Sequence, residues 1–386
     1  MRVRAIGSAL PMVAAGLAAM GCHLFADLFS PTESYPPLGT YPDEVLEIPI
    51  AGDAQGASFS TVAWDVNSSG RVVGSTNSFS LPRAKDSPTN PIVGFAINVD
   101  ESDYVDLTPS EGVAAWPSAI NDAGLVVGTY KLHLAQSDVL HAYMIEADGT
   151  GFVDIHPDGF DSSAALEVTS GGMVVGHVKT LSEQHPVIFP VNGHSLTDLG
   201  GTYRESGVRA ACDKFIILWA RGELGGEMLN VLCRVEEEIF EVLSVLDVPP
   251  GPVAIRAVAN DGTIVGWYDR SDYGAFHYRL GEDHAWVISG DILRGDTIYN
   301  HFRFCNFTSD GTIVGMAFRS GQIRAAKYTY GVRDVEDVSP GEYSAYSELY
   351  SVNQEGWAVG YSGYSYGDEN GQFVGVADRA IAVKVK

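Results

Sequence analysis

The chain has 386 residues, with 24 Lys and Arg against 49 Asp and Glu, a formal charge of −25. That acidic balance excludes recognition of a polyphosphate through clustered cations, which is the basis of nucleic-acid binding. With 45% hydrophobic residues it can bury a sizeable core, and 43 Gly beside only 19% charged residues favour turn-rich β structure over helix bundles.

At the N-terminus, Arg2 and Arg4 precede an apolar stretch over 5–21, the layout of a secretory signal. Pro11 interrupts the stretch, which is shorter than the roughly 20 apolar residues needed to span a bilayer. It ends Leu17-Ala18-Ala19-Met20-Gly21-Cys22, which resembles a bacterial lipobox and implies lipidation of Cys22 after cleavage. The following segment contains Ser30-Pro31-Thr32 and Pro36-Pro37 and reads as an extended tether. The expected partition is a signal peptide over 1–21, a lipid-anchored tether over 22–43 and one folded domain over 44–386. The expected location is the cell envelope, at the outer membrane or surface of a Gram-negative bacterium, with the lipid as the membrane contact.

A hairpin signature then repeats. Val66-Asn67-Ser68-Ser69-Gly70-Arg71-Val72-Val73-Gly74 is followed by Ile120-Asn121-Asp122-Ala123-Gly124-Leu125-Val126-Val127-Gly128. Further copies begin at Val168, Val258, Phe307 and Val352, and a degenerate one runs over 210–218 with Lys214 at the glycine position. The turn positions 70, 124, 172, 214, 262, 311 and 356 recur about every 48 residues, the size of one four-stranded propeller blade. Gly supplies positive φ for the turn, and the β-branched pair after it gives a stiff, packed strand. The terminal Gly marks a bulge or a close backbone approach. Asn67, Asn121 and Asn353 are expected to hold turns.

Third strands are expected near 94–97, 141–144, 185–188, 274–277 and 324–327, and fourth strands near 104–107, 152–155, 196–199 and 332–335. The last repeat stops one strand short, and residues 44–50 can supply it. The predicted architecture is therefore all-β: a single seven-bladed β-propeller of about 49 residues per blade, closed by pairing the N-terminal strand with the C-terminal blade. The pattern Ile-Asn-Asp-x-Gly-x-Val-Val-Gly, then His-Ala-aromatic, then Asp-Leu, resembles the HAF-repeat family of bacterial extracellular proteins. Residues 120–128 with His141-Ala142-Tyr143 and Asp154 match it best. The resemblance implies a secreted, propeller-like repeat protein and no reaction.

No nucleophile elbow, zinc helix or phosphate-binding loop is present, so no catalytic residue, metal or cofactor is assigned. His141 and His185 occupy a repeated position and are expected to be structural. Besides Cys22, the cysteines Cys212, Cys233 and Cys305 are expected to be free thiols with no disulfide, because strands two apart lie beyond disulfide reach. The long connections over 76–92, 267–274 and 362–378 carry aromatic and acidic residues on what is expected to be one face. Trp267, Tyr268, Asp269, Tyr361, Tyr364 and Tyr366 are the candidate ligand-binding residues, since aromatic faces beside carboxylates suit sugars or cationic groups. The expected function is a non-catalytic envelope lipoprotein whose propeller binds a carbohydrate, peptide or protein. A hydrolase or lyase at the central-channel mouth and a purely structural envelope component are the alternatives. Substituting Cys22→Ser is expected to move the protein from the membrane to the soluble fraction in a Gram-negative host; unchanged fractionation would contradict lipidation.

Overall fold

A computed structural model describes residues 45–48, 60–77, 92–99, 101, 104–133, 138–191, 195–200, 205–221, 228–236, 239–245, 253–268, 274–280, 287–293, 299–319, 322–329, 334–340, 346–367 and 373–386. The expected signal peptide and tether lie outside these residues, as does Asp269. The fold is all-β, with 28 strands among the described residues. Val45–Glu47 is β1, followed by Thr61–Val66, Arg71–Thr76, Val93–Asn98 and Val105–Asp106 (β2–β5). Gly112–Ile120, Leu125–His133, Asp138–Glu146 and Val153–Asp154 form β6–β9, and Ser162–Val168, Val174–Lys179, Gln184–Ile188 and Thr197–Asp198 form β10–β13. Glu205–Ala211, Phe215–Arg221, Met228–Glu236 and Ile239–Val245 are β14–β17, and Val253–Val258, Thr263–Tyr268, Gly274–Leu280 and Val287–Leu293 are β18–β21. Tyr299–Phe307, Thr312–Arg319, Gln322–Thr329 and Asp334–Asp337 are β22–β25, and Tyr346–Val352, Trp357–Gly367 and Phe373–Lys384 are β26–β28.

Within each group, successive strands pair antiparallel, as in the blades of a propeller. β1 joins the last group, with Val45 opposite Val383 and Glu47 opposite Ile381. First strands of successive groups touch one another: β2 meets β6, β6 meets β10, β10 meets β14, β14 meets β18, β18 meets β22, β22 meets β26, and β26 meets β2. They form an inner wall. Apolar cores fill the spaces between neighbouring sheets; Val73, Ala96 and Leu107 of one sheet pack with Ala115, Val126 and Tyr143 of the next.

Each glycine of the signature has its own task. Gly70 takes φ +80° and Gly124 φ +90°, the left-handed region that only glycine enters freely. The terminal glycine lies where the second strand crosses a bulge in the first. A Cβ on Gly360 would meet the Glu348 carbonyl oxygen at 1.9 Å, and one on Gly74 the Val62 oxygen at 2.2 Å. In the degenerate copy Leu218 takes that place, and Gly207 stands where the facing strand otherwise carries Val62 or Glu348. The turn there is also shorter than the sequence alignment implies. Cys212 N–H donates to Phe215 O at 2.8 Å, one residue less than the Asn67 N–H to Arg71 O bond at 3.1 Å. Lys214 therefore replaces no glycine; it belongs to a two-residue turn with Asp213, and the glycine position is absent.

The asparagines hold more than their turns. Asn67 Oδ1 accepts the Arg71 N–H at 2.9 Å, while its Nδ2 donates to the Asn121 carbonyl of the next sheet at 3.2 Å. Asn121 Nδ2 reaches the Thr169 carbonyl at 3.1 Å, and Asn353 Nδ2 reaches the Asn67 carbonyl at 2.8 Å. The residue after the asparagine position accepts an N–H from the preceding sheet: Asp122 from Ser68 and, in the shortened turn, Asp213 from Gly171, each at 2.8 Å. On the opposite face, the repeated His or Arg of the third strand pairs with the Asp of the fourth. His141 Nδ1 lies 2.8 Å from Asp154, His185 Nδ1 3.1 Å from Asp198, and Arg324 Nε 3.0 Å from Asp337. The same Asp residues accept the N–H two residues on, at 2.9 Å from His156 and 3.0 Å from Ser339, so the motif ties the fourth strand and its exit turn to the third. Cys212, Cys233 and Cys305 are free thiols.

Asn353→Ala removes a buried donor to Asn67 O and the acceptor of the Trp357 N–H at once. It should lower unfolding free energy by about 2 kcal/mol, read from the urea midpoint. Ser68→Ala, at an exposed turn position, should change it by less than about 0.5 kcal/mol.

Candidate functional site

The bulge in each first strand falls just before its turn. Pairing skips from Ala63 to Asp65 in β2, from Ile255 to Ala257 in β18, from Phe304 to Asn306 in β22 and from Leu349 to Ser351 in β26. A bulged residue is unpaired and its side chain is re-aimed. These residues are Trp64, Arg256, Cys305 and Tyr350, with Arg209 at the same place in β14. The repeat thus places varied side chains at one position while its frame stays constant.

On one side of the wall the bulge residues build an aromatic ladder. Trp64 and Tyr350 stack at 5.1 Å and 22°, and Tyr350 stacks on Tyr361 at 5.6 Å and 24°. Tyr346 meets Tyr361 edge-on at 5.7 Å. Trp64 Nε1 is held by Ser75 Oγ at 3.1 Å, and all three ladder rings are part-exposed. Beside the ladder Glu348 is buried, hydrogen-bonded to Tyr350 and within 3.8 Å of Cys305 Sγ. Burial pushes the Glu348 carboxyl up, opposed by the charges of Arg303 and Arg256. Burial also pushes the Cys305 thiol up to about 12, so it is no nucleophile at neutral pH.

Next along the wall, Arg256 and Arg303 both lie over Trp267, at 4.9 and 5.4 Å from the ring centroid. Arg209 is lowered to about 10, first by burial and then by the charge of Arg256. Across the interior, Asp65 accepts hydrogen bonds from Ser351 Oγ at 2.6 Å and from the Ile120 and Val66 N–H groups, each at 2.9 Å. Burial outweighs them and raises its pKa to about 6. Glu167 on β10 is raised to about 8 by burial and by Asp65, with Arg256 opposing. Groups from β2, β10 and β18 therefore feel one another although they are far apart in the chain.

Among the six expected binding residues, the structure places Trp267 in β19 and Tyr361 in β27, linked to one region through Arg303, Glu348 and Tyr350. Tyr268 ends β19, and Tyr364 and Tyr366 lie in β27. The expectation that these five residues sit in long loops is corrected: they continue strands. The period-two alternation of Tyr364 and Tyr366 with Ser365 between them suits a strand extending to Gly367, and Tyr364 pairs with Ala377. Sequence reading missed Trp64, Asp65, Arg256, Arg303, Glu348 and Tyr350. Their signal is a position just before a constant signature whose residue varies without pattern. In a second polar group His141 stacks on His156 at 3.9 Å, with His141 Nδ1 bonded to Asp154 and the two His156 ring nitrogens to Ser163 and Phe160 O. Among the described residues no three His, Cys, Asp or Glu gather as metal ligands.

The fold and this wall define an all-β, propeller-like repeat protein. Among solved structures it is similar to a prolyl endopeptidase at 11% identity and a TM-score of 0.55, over 85% of this chain and 50% of that one. It is also similar to a puromycin-hydrolyzing peptidase of Mycobacterium tuberculosis at 12% identity and a TM-score of 0.52, over 89% of this chain and 56% of that one. The chain thus spans about half the length of these peptidases, and at such identities the likeness concerns the fold alone. No family model and no curated protein matches the chain.

A raised carboxyl makes the folded state bind more protons than the unfolded chain between the ordinary carboxyl range and about pH 8. Stability therefore falls as pH rises through that window and stays reduced above it. Glu167→Gln should leave Tm unchanged near pH 4 and raise it by a few degrees at about pH 9, checked by calorimetry across pH.

Proposed function

We propose that the chain is a non-catalytic, exported lipoprotein whose seven-bladed propeller, closed by β1 on β28, binds a ligand at its inner wall. The aromatic ladder of Trp64, Tyr350 and Tyr361 carries this reading, because part-exposed stacked rings beside a carboxyl suit the apolar faces of sugars or peptide side chains. Pairing of Val45 with Val383, and the bond from Asn353 to Asn67, support closure of the ring. Membership of the HAF-repeat family rests on the repeated motif, and the envelope location on the N-terminal segment with Cys22.

One observation favours a second reading, a hydrolase or lyase acting at the channel mouth. Glu167, raised to about 8, is an acid at neutral pH and faces the carboxyl of Asp65. Under that reading, Glu167→Gln abolishes turnover of a bound glycan or peptide.

The two are separated by a thermal-shift screen of the full chain against neutral oligosaccharides and short peptides, with product analysis of every hit. A ligand at about 100 times its dissociation constant stabilises by about 2.7 kcal/mol. The expected result is a shift without product, weakened about tenfold by Trp64→Ala or Tyr361→Ala. A shift that survives both substitutions would move the site away from the ladder.

A further inference from the structure

We infer that Arg256 and Arg303, held over Trp267, form a clamp for a ligand carboxylate; the inference rests on the inner wall being the binding surface. Two guanidinium groups share one indole, at 4.9 and 5.4 Å from its centroid. The indole favours each cation, yet cations gathered in one place repel, and Arg209 adds a third, since its pKa is lowered partly by Arg256. In a chain with 49 acidic residues, counter-ions for these groups are plentiful. Even so, the described residues include no ion pair or hydrogen bond to Arg256 or Arg303.

The nearest acid is already engaged. Glu348 is buried, hydrogen-bonded to Tyr350 and in contact with Cys305, so it faces both guanidinium groups without closing on either. Glu167, which also faces Arg256, is mostly neutral at physiological pH. Among the described residues, then, no acid closes on Arg256 or Arg303. Arg303 is exposed and Arg256 part-exposed.

The forked donors of arginine match the two oxygens of a carboxylate, and pairs of this kind are short and directional. A carboxylate here would relieve the repulsion between the cations while the indole keeps them in place. The surrounding acidic surface repels highly charged polyanions, which favours a ligand with a single carboxylate group in an otherwise neutral frame. A uronic acid unit of a glycan and the C-terminus of a peptide both carry that chemistry.

Matched pairs test it by calorimetric titration of the full chain: a trisaccharide with one terminal glucuronate against the same trisaccharide with glucose in that place, and a free-acid tripeptide of neutral residues against its C-terminal amide. The acid member of one pair is expected to bind at least tenfold more tightly than its neutral partner, and the pair showing the preference identifies the source. Arg256→Gln with Arg303→Gln is expected to abolish the preference while leaving Tm without ligand within about 2 °C. Arg303→Gln alone, at an exposed position, is expected to reduce it at least threefold, which guards against misfolding of the double variant. Equal binding of acid and neutral members, or a preference that survives the double variant, overturns the clamp but leaves a ladder site standing. Absence of binding by every member overturns both.

Discussion

The contact on which this molecule depends is the approach of a bare glycine backbone to the carbonyl of a bulged strand. At Gly74, Gly128, Gly176, Gly315 and Gly360 a Cβ would sit between 1.9 and 2.3 Å from the facing oxygen, so no side chain is tolerated. Removing that Cβ lets the second strand lie flat against the first while the first takes in one extra residue. The extra residue cannot join the ladder, so its side chain is released from the regular alternation of the strand. The same feature that sets the register of each sheet therefore furnishes the wall with Trp64, Arg256, Cys305 and Tyr350.

Around that frame short polar side chains stitch neighbouring sheets together. Asn67, Asn121 and Asn353 each satisfy their own turn with Oδ1 and lend Nδ2 to the next sheet. An amide carries an acceptor and a donor on one rigid group and so can do both. His141, His185 and Arg324 act on the other face, each beside the Asp of its own fourth strand. These motif residues are committed to the frame, which leaves the irregular positions between them to carry any ligand chemistry.

Those irregular positions were hard to read. The aromatic and acidic residues of the long connections break the repeat visibly, and among them Trp267 lies under Arg256 and Tyr361 stacks on Tyr350. Trp64 and Tyr350 carry equal weight in the ladder but sit inside strands, where an aromatic residue reads as core. Glu348 and Glu167 are single acids within strands, with no local motif to mark them. A bulge leaves no signature of its own beyond the glycine opposite, and without it the alternation assigns each of these side chains to a sheet face.

The sequence by itself determined the all-β class, the position of nearly every turn, and the structural roles of the asparagines and repeated histidines. These are local matters: positive φ, short polar caps and β-branched pairs act within a few residues or recur at a fixed period. Only the tertiary structure decided that Arg256 and Arg303 meet over one indole, that Asp65 of β2 meets Ser351 of β26, and that Glu167 is held neutral. Those outcomes depend on which first strands become neighbours and on how deeply the wall is buried. Coulomb forces and desolvation act through space, and the spacing of residues along the chain does not record the distance between them.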